Sequence, residues 1–324
     1  MRAWRKEGER LAVCRSSEWN TCDHAVAEWV GKQGWKPKME HINHLVVSLP
    51  SVAAIKAIAS IRHRLDHRTT ICLLQDGLGL IEAINTWCFP DPRTRPTYIL
   101  GHMTHSLGYH TGYHHAALLL KPRKLYLHAV GRNSNWPSRV KYHPPIERQK
   151  RATDFLRIMT TAPGLNAEGS TLQNFLLKKL PTIVAKSAVD PVTVVLECSF
   201  AEVLESPYGM RLVNQLLDEI YSVIMSLPEL PNASKLVKNI SRKKLWGDVQ
   251  GRLRAKGNSQ GYMLNSIRKG EMVDIPFLNG WFVKKGEETG IKCPANRMVI
   301  DMVKAKRRKY AADQQAGDVQ FEEL

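Results

Sequence analysis

Thr70-Ile-Cys-Leu-Leu-Gln-Asp-Gly-Leu-Gly79 is the stretch that decides the fold. Thr70 to Leu74 has the length and composition of a buried strand, and Asp76-Gly-Leu-Gly79 behind it supplies a turn. Upstream, Leu45-Val-Val-Ser-Leu49 reads as a second short buried strand, and Pro50-Ser51 interrupts it and offers a helix cap. Val52, Ile55, Ala59, Ile61 and Leu65 then recur at helical spacing, which makes the whole a βαβ unit. Downstream, Ile81, Ile84 and Trp87 predict another helix and Thr97-Tyr-Ile-Leu100 another strand, so residues up to 130 are expected in a parallel α/β sheet.

Beyond Gly131 the composition turns to Asn, Ser, Pro and basic residues without periodicity as far as Pro145, which predicts a linker over 131–150. Helical spacing follows through Phe155 to Met159, Leu172 to Leu180, Ala185 to Leu196, Leu212 to Met225 and Met298 to Val303, so 151–310 reads as an all-α domain. Residues 311–324 end in Phe321-Glu-Glu-Leu324 and read as an acidic, disordered tail.

The composition limits what the chain can do. No apolar run reaches the roughly 18 residues that span a bilayer, and no charged-then-apolar leader opens the sequence, so neither a membrane span nor secretion is expected. Cys14, Cys22, Cys72, Cys88, Cys198 and Cys293 form no CxxC pair, which points to free thiols in a reducing compartment. A net charge of +17 fits a polyanionic partner such as RNA, an acidic membrane surface or a phosphorylated ligand. The cations gather in Arg139 to Arg151, Lys235 to Lys256 and Lys304 to Lys309.

Three stretches in order, Thr70 to Gly79, Ala188-Val-Asp-Pro-Val-Thr193 and Leu278-Asn-Gly-Trp-Phe-Val283, with Gly290-Ile-Lys-Cys-Pro294 behind them, resemble the ketopantoate reductase (2-dehydropantoate 2-reductase) family. The resemblance runs from about residue 40 to residue 310. It implies a Rossmann-like domain over 1–130 and a 6-phosphogluconate-dehydrogenase-like helical domain over 151–310, with NADP as cofactor and 2-dehydropantoate as substrate. It also implies a strand, a GxGxxG turn and a helix at the front, because such glycines let a dinucleotide's diphosphate approach the backbone. Nothing like that precedes Leu45. The expectation is that this front is missing, either because Met1 is internal to a longer protein that binds NADP or because the nucleotide site has been lost and no cofactor is used.

The site residues that the resemblance implies depart from the family in one direction. The family's catalytic Lys stands eight residues before an Asn-Pro pair, and counting back from Asp190-Pro191 reaches Thr182. The two Asn that follow that Lys become Lys186 and Asp190, the Asn of the Asn-Gly turn becomes Asp76, a substrate-binding Ser becomes Tyr262, and the pocket acid is the shorter Asp274. The catalytic residue is therefore left unassigned, with Lys186, Lys179 and Asp274 as candidates. Gly77 and Gly79 are the cofactor-side candidates and Asn279, Asp274 and Asp190 the substrate-pocket candidates. Leu80-Ile-Glu82, Pro96-Thr-Tyr-Ile-Leu-Gly101 and Leu278 to Val283 also resemble fungal mitochondrial activators of cytochrome b translation, which share the fold without its catalytic set.

Two further features invite functional readings. Five histidines, His102, His105, His110, His114 and His115, crowd one segment, but no acid or cysteine lies among them, two glycines break helical spacing, and no metal site is expected. The run Lys235, Lys238, Arg242, Lys243, Lys244, Arg252 and Arg254, interleaved with Leu236, Ile240, Leu245 and Trp246, reads as an amphipathic basic helix. It is the candidate surface for RNA or the mitoribosome, read through salt-sensitive phosphate contacts. Two functions follow. One is a catalytically impaired family member acting in mitochondrial translation; the other is an NADPH-dependent 2-dehydropantoate 2-reductase, with the cytoplasm as the alternative compartment.

Overall fold

The computed structural model describes residues 40–109, 117–130, 146–228, 230 and 240–319. They divide into two compact units, one holding the described residues up to 49 together with 53–75 and 81–171, the other holding 50–52, 76–80 and 172 onward.

The first unit is built on β1 (His44–Val47), α1 (Ser51–Ser60), β2 (Thr70–Leu73), α2 (Leu80–Trp87) and β3 (Thr97–Met103). Strands β1, β2 and β3 pair in parallel. All four residues of β2 are buried, as a central strand covered on both faces requires. The expected helix α2 forms, with Ile81 and Ile84 buried, but Trp87 is 73% exposed. After β3 come a hairpin of β4 (Ser106–Tyr109) and β5 (Ala117–Lys121), then β6 (Leu125–Ala129), α3 (Ile146–Thr161) and β7 (Ala167–Gly169). The main sheet runs β1-β2-β3-β6-β7, with β6 antiparallel to β3. The sheet is mixed rather than wholly parallel there, since among the described residues no crossover helix separates the two strands and parallel pairing needs one.

The domain boundary also differs from the sequence expectation. Phe155 and Met159 of α3 pack with Cys72, Ile99, Leu125 and Leu127 in the core of the sheet, and the units divide between Thr171 and Leu172 rather than within 131–150. Periodicity identifies a helix without saying which core receives its apolar face. Residues 131–145 lie outside the described residues.

The second unit comprises α4 (Leu172–Leu196), α5 (Phe200–Glu205), α6 (Pro207–Met225), α7 (Arg242–Lys256), α8 (Tyr262–Arg268), a 3-10 turn (Ile275–Phe277), α9 (Asn279–Thr289) and α10 (Pro294–Val319). Helix α4 is its axis: Ile183, Val184, Ala188, Val189 and Val192 are fully buried. The ends are set by local chemistry. Ser199 and Glu202 form a reciprocal capping box on α5, Ser206 caps α6 ahead of Pro207, and Gly290 ends α9 at φ 78°. Helix α10 continues to Val319, so disorder from residue 311 is corrected; 320–324 lie outside the described residues. No helix among the described residues is long and apolar enough to cross a membrane.

In the first unit Asp66 ties down the approach to β2. It accepts from Arg68 N at 2.7 Å and pairs with the Arg68 guanidinium at 2.9 Å and with His41 Nε2 at 2.8 Å. Burial pushes the carboxyl up, but hydrogen bonds from the Arg68 side chain and backbone and from His41 outweigh it and hold Asp66 well below the usual carboxylate range. A depressed folded pKa adds stability above the unfolded value near 4 and loses it as pH falls through the folded one. Asp66→Asn should therefore destabilise the protein at neutral pH, with the difference from wild type shrinking below about pH 4 in denaturant titrations.

Candidate functional site

Lys179, Thr182, Lys186 and Asp190 are spaced so that they line one side of α4. Lys179 is buried, with its ammonium 5.4 Å from the centre of the Phe175 ring, and Thr182 is half-buried. The Lys186 ammonium donates to the Asp76 carboxylate. Asp190, 7% exposed, is closed by Arg252 of α7, which donates from Nη2 to Oδ1 at 2.7 Å and Oδ2 at 2.9 Å, and from Nε to Oδ1 at 3.1 Å. Burying a carboxylate is costly unless a cation and hydrogen bonds meet it, and Arg252 supplies both.

Helix α4 carries Pro181 and Pro191 in its interior. Pro191 has no N–H, so the Ser187 carbonyl one turn earlier loses its helical donor. Asn279 replaces it: its Nδ2 donates to Ser187 O at 2.8 Å and to Asn296 Oδ1 at 2.9 Å. Asn296 in turn donates to Leu216 O at 3.2 Å and to Glu219 at 2.7 Å, while Glu219 accepts from the Ala295 and Asn296 amides at the start of α10. Asn279, a candidate pocket residue, is thus fully buried and knits α4, α6, α9 and α10 together.

Asp274 is also engaged. It accepts from Ser51 N at 2.9 Å and Val52 N at 3.1 Å, two amides without helical partners at the start of α1 that belong to the second unit. Burial raises its pKa, opposed by these amide bonds and by nearby Lys186. The Gly77–Gly79 turn packs beside it. Leu78 N donates to Phe277 O at 2.8 Å, and a Cβ at Gly77 would stand 2.4 Å from Ser51 Oγ and 2.7 Å from Phe277 Cβ. Gly79 has φ 81°, which suits glycine. Tyr262 opens α8 and is 66% exposed.

The basic run divides. Lys235 and Lys238 lie outside the described residues, and Lys243, Lys244 and Arg254 are exposed. Arg242 pairs with Asp218 at 2.6 Å, bonds Asn214 and lies over the Trp246 ring. Arg252 is corrected: its guanidinium is spent on Asp190, because the helix turns it toward α4. Of the histidines, His102 is buried, and His105 accepts from Arg123 N at Nδ1 while Nε2 bonds Leu165 O. His110, His114 and His115 are outside the described residues, among which no three ligating side chains form a metal group.

Sequence reasoning named Asp190 and Arg252 separately and missed their pairing, since nothing local joins residues so far apart in the chain. It missed Asn296 and Glu219 as well. Pro191 carried an unused signal, because a proline inside a helix announces an orphan carbonyl in need of a donor.

An α/β unit with this turn, followed by a helical unit built on the Asp190-Pro191 helix, is the two-unit layout of the reductase fold that the motif order implied. The chain belongs to the ketopantoate reductase family: the family models "Ketopantoate reductase PanE/ApbA" and "Ketopantoate reductase PanE/ApbA C terminal" match residues 2–128 and 174–307. It is 29% identical over 126 residues to the 2-dehydropantoate 2-reductase of Aquifex aeolicus, a match covering 38% of each chain. Thus it spans little more than a third of the length of that relative. It is 22% identical over 306 residues to the cytochrome B translational activator CBS2 of Saccharomyces cerevisiae, covering 86% of this chain and 77% of that one. To the 2-dehydropantoate 2-reductase of the same yeast it is 21% identical over 292 residues, covering 81% and 73%. Among solved structures, D-mandelate dehydrogenase with NADH and anilino(oxo)acetate aligns at TM-score 0.57 and 14% identity, covering 84% of this chain and 78% of that one. The 2-dehydropantoate 2-reductase of Methylococcus capsulatus aligns at 0.55 and 15%, covering 83% and 76%.

The Gly77 turn, the cofactor-side candidate, does not fit a dinucleotide: the close approach that Gly77 permits is taken up by Ser51 and Phe277 of the chain itself.

Two outcomes follow for stability. Asp190→Ala strands the Arg252 charge and should cost about 3–5 kcal/mol in denaturant unfolding, whereas Asp190→Leu with Arg252→Met should recover most of that loss. Asn279→Ala leaves the Ser187 carbonyl and Asn296 short of partners and should cost about 1–3 kcal/mol, measured the same way.

Proposed function

We propose that this chain is a ketopantoate reductase family member that has given up hydride transfer and acts as a basic RNA- or ribosome-associated factor in mitochondrial translation. The observation that carries the reading is the state of the α4 face. Thr182 stands where the family's acid would be, and of the two lysines one turn away Lys186 is held by Asp76 while Lys179 is buried against the Phe175 ring. A threonine hydroxyl cannot donate a proton near neutral pH as an ammonium does, and losing such a group costs about 10²- to 10⁴-fold in rate. Asp274 is occupied as acceptor for the Ser51 and Val52 amides, so the candidate acid for a substrate hydroxyl already serves the fold.

The negative charges placed near an anionic substrate are offset within the protein, Asp76 by Lys186 and Asp190 by Arg252. Such pairs neutralise both carboxylates from within the protein. Similarity to CBS2 over most of the chain, the net charge of +17 and the exposed cations of the helical unit support the RNA or ribosome partner. The mitochondrion is the compartment that goes with this reading.

With NADPH and 2-dehydropantoate, the longest natural form of the protein should oxidise cofactor no faster than background, and it should be retained on RNA at low salt and released as salt rises. Clear turnover that Lys186→Ala abolishes would instead establish a reductase with a relocated acid. Retention indifferent to salt would contradict a phosphate-contacting surface.

A further inference from the structure

Charge is unevenly placed on the helical unit. Within α7, Arg242 and Arg252 are neutralised by Asp218 and Asp190. The end of the unit where α4 stops is different. There a Cβ at Gly209 would touch Leu196 at 3.2 Å, which puts the start of α6 beside the end of α4. Lys306 of α10 reaches Glu197 at 2.6 Å, and Gln314 of α10 donates to Arg268 O at the end of α8 at 2.9 Å. Ala201 N donates to Gly257 O at 2.8 Å, bringing in the end of α7.

This end therefore gathers Arg254, Lys256, Arg268 and Lys269 from the closing turns of α7 and α8, together with the run Lys304 to Lys309 of α10. Cations in a last helical turn complement the macrodipole, which accounts for the first group. It does not account for the second, because α10 continues ten residues past Lys309 to Val319. Consecutive residues fan around a helix at 3.6 per turn, so the run cannot face one core. Lys304, Arg308 and Lys309 are exposed and Arg307 half-buried, and none of the four has an ion-pair partner among the described residues. Asp301 and Asp313 flank the run on the same helix without pairing to it. At the same end Tyr208 is 74% exposed, with the Arg211 guanidinium 5.6 Å from its ring centre.

We propose that this end of the helical unit binds single-stranded RNA, with Lys304, Arg307, Arg308 and Lys309 on phosphates and Tyr208 as a stacking face for a base. The inference rests on the RNA reading above and moves the contact surface from the 235–254 run to α10 and the start of α6. Unpaired cations spread over several elements follow a phosphate backbone, and an aromatic face beside an arginine accepts any base. A lipid surface would call for a contiguous apolar face among the cations, whereas the exposed apolar side chains Leu196, Met272 and Met302 stand on three separate segments.

The test is fluorescence anisotropy of a labelled oligouridylate with the full chain, repeated over a range of salt. Replacing Lys304, Arg307, Arg308 and Lys309 by Gln should weaken binding at least about tenfold and flatten the slope of log affinity against log salt by roughly 0.7 per lost contact. Tyr208→Ala should weaken binding about fivefold or more with the slope unchanged. Lys243→Gln with Lys244→Gln should change neither, and Arg308→Gln alone should show a proportionate slope change if the fourfold variant fails to fold. RNA binding lost in the Lys243 and Lys244 variant but kept in the others overturns this surface while leaving the RNA reading intact. No binding by wild type overturns both, and binding to phosphatidylserine vesicles in place of RNA identifies a membrane partner and overturns the inference.

Discussion

Helix α4 must bury a carboxylate and a broken hydrogen bond within two consecutive residues, and the second unit is arranged around meeting that demand. Asp190 needs a cation and receives Arg252; Pro191 strips the Ser187 carbonyl of its donor and Asn279 supplies another. These two partners belong to α7 and α9, so satisfying them fixes both helices against α4. Asn296 and Glu219 extend the same network to α10 and α6. Polar groups that could have faced a ligand are thereby spent on register between helices.

The same economy governs the other side-chain positions that carry chemistry in the family. Asp76 and Lys186 replace two uncharged residues with a matched pair, and the shorter acid Asp274 closes on the amides of Ser51 and Val52. Each substitution would be costly alone, as an unpaired charge in a partly buried place. Together they are compatible, because each charge meets a partner within the fold.

Much of this was legible in the sequence. Strand β2, the Asp76-to-Gly79 turn and the helices on either side follow from apolar runs and helical spacing, and the order of the Asp-Pro and Asn-Gly pairs identifies the fold of both units. The antiparallel β6 was not legible, because strand direction depends on the path of the chain between Met103 and Leu125. Nor was the placement of α3, whose Phe155 and Met159 suit either core equally well by pattern. At the site, the identities of Thr182, Lys186 and Asp274 could be read by counting, but their partners could not. Arg252 sits in a run of cations whose spacing gives no hint that one of them turns inward to Asp190.

The charged groups Asp76 and Lys186 and the close approach at Gly77 are taken up by the chain's own packing, and the proposed loss of hydride transfer rests on that. The measurement that tests this most directly is titration calorimetry of NADPH into the longest natural form of the protein. The account predicts no saturable heat; saturable binding at micromolar NADPH would contradict it.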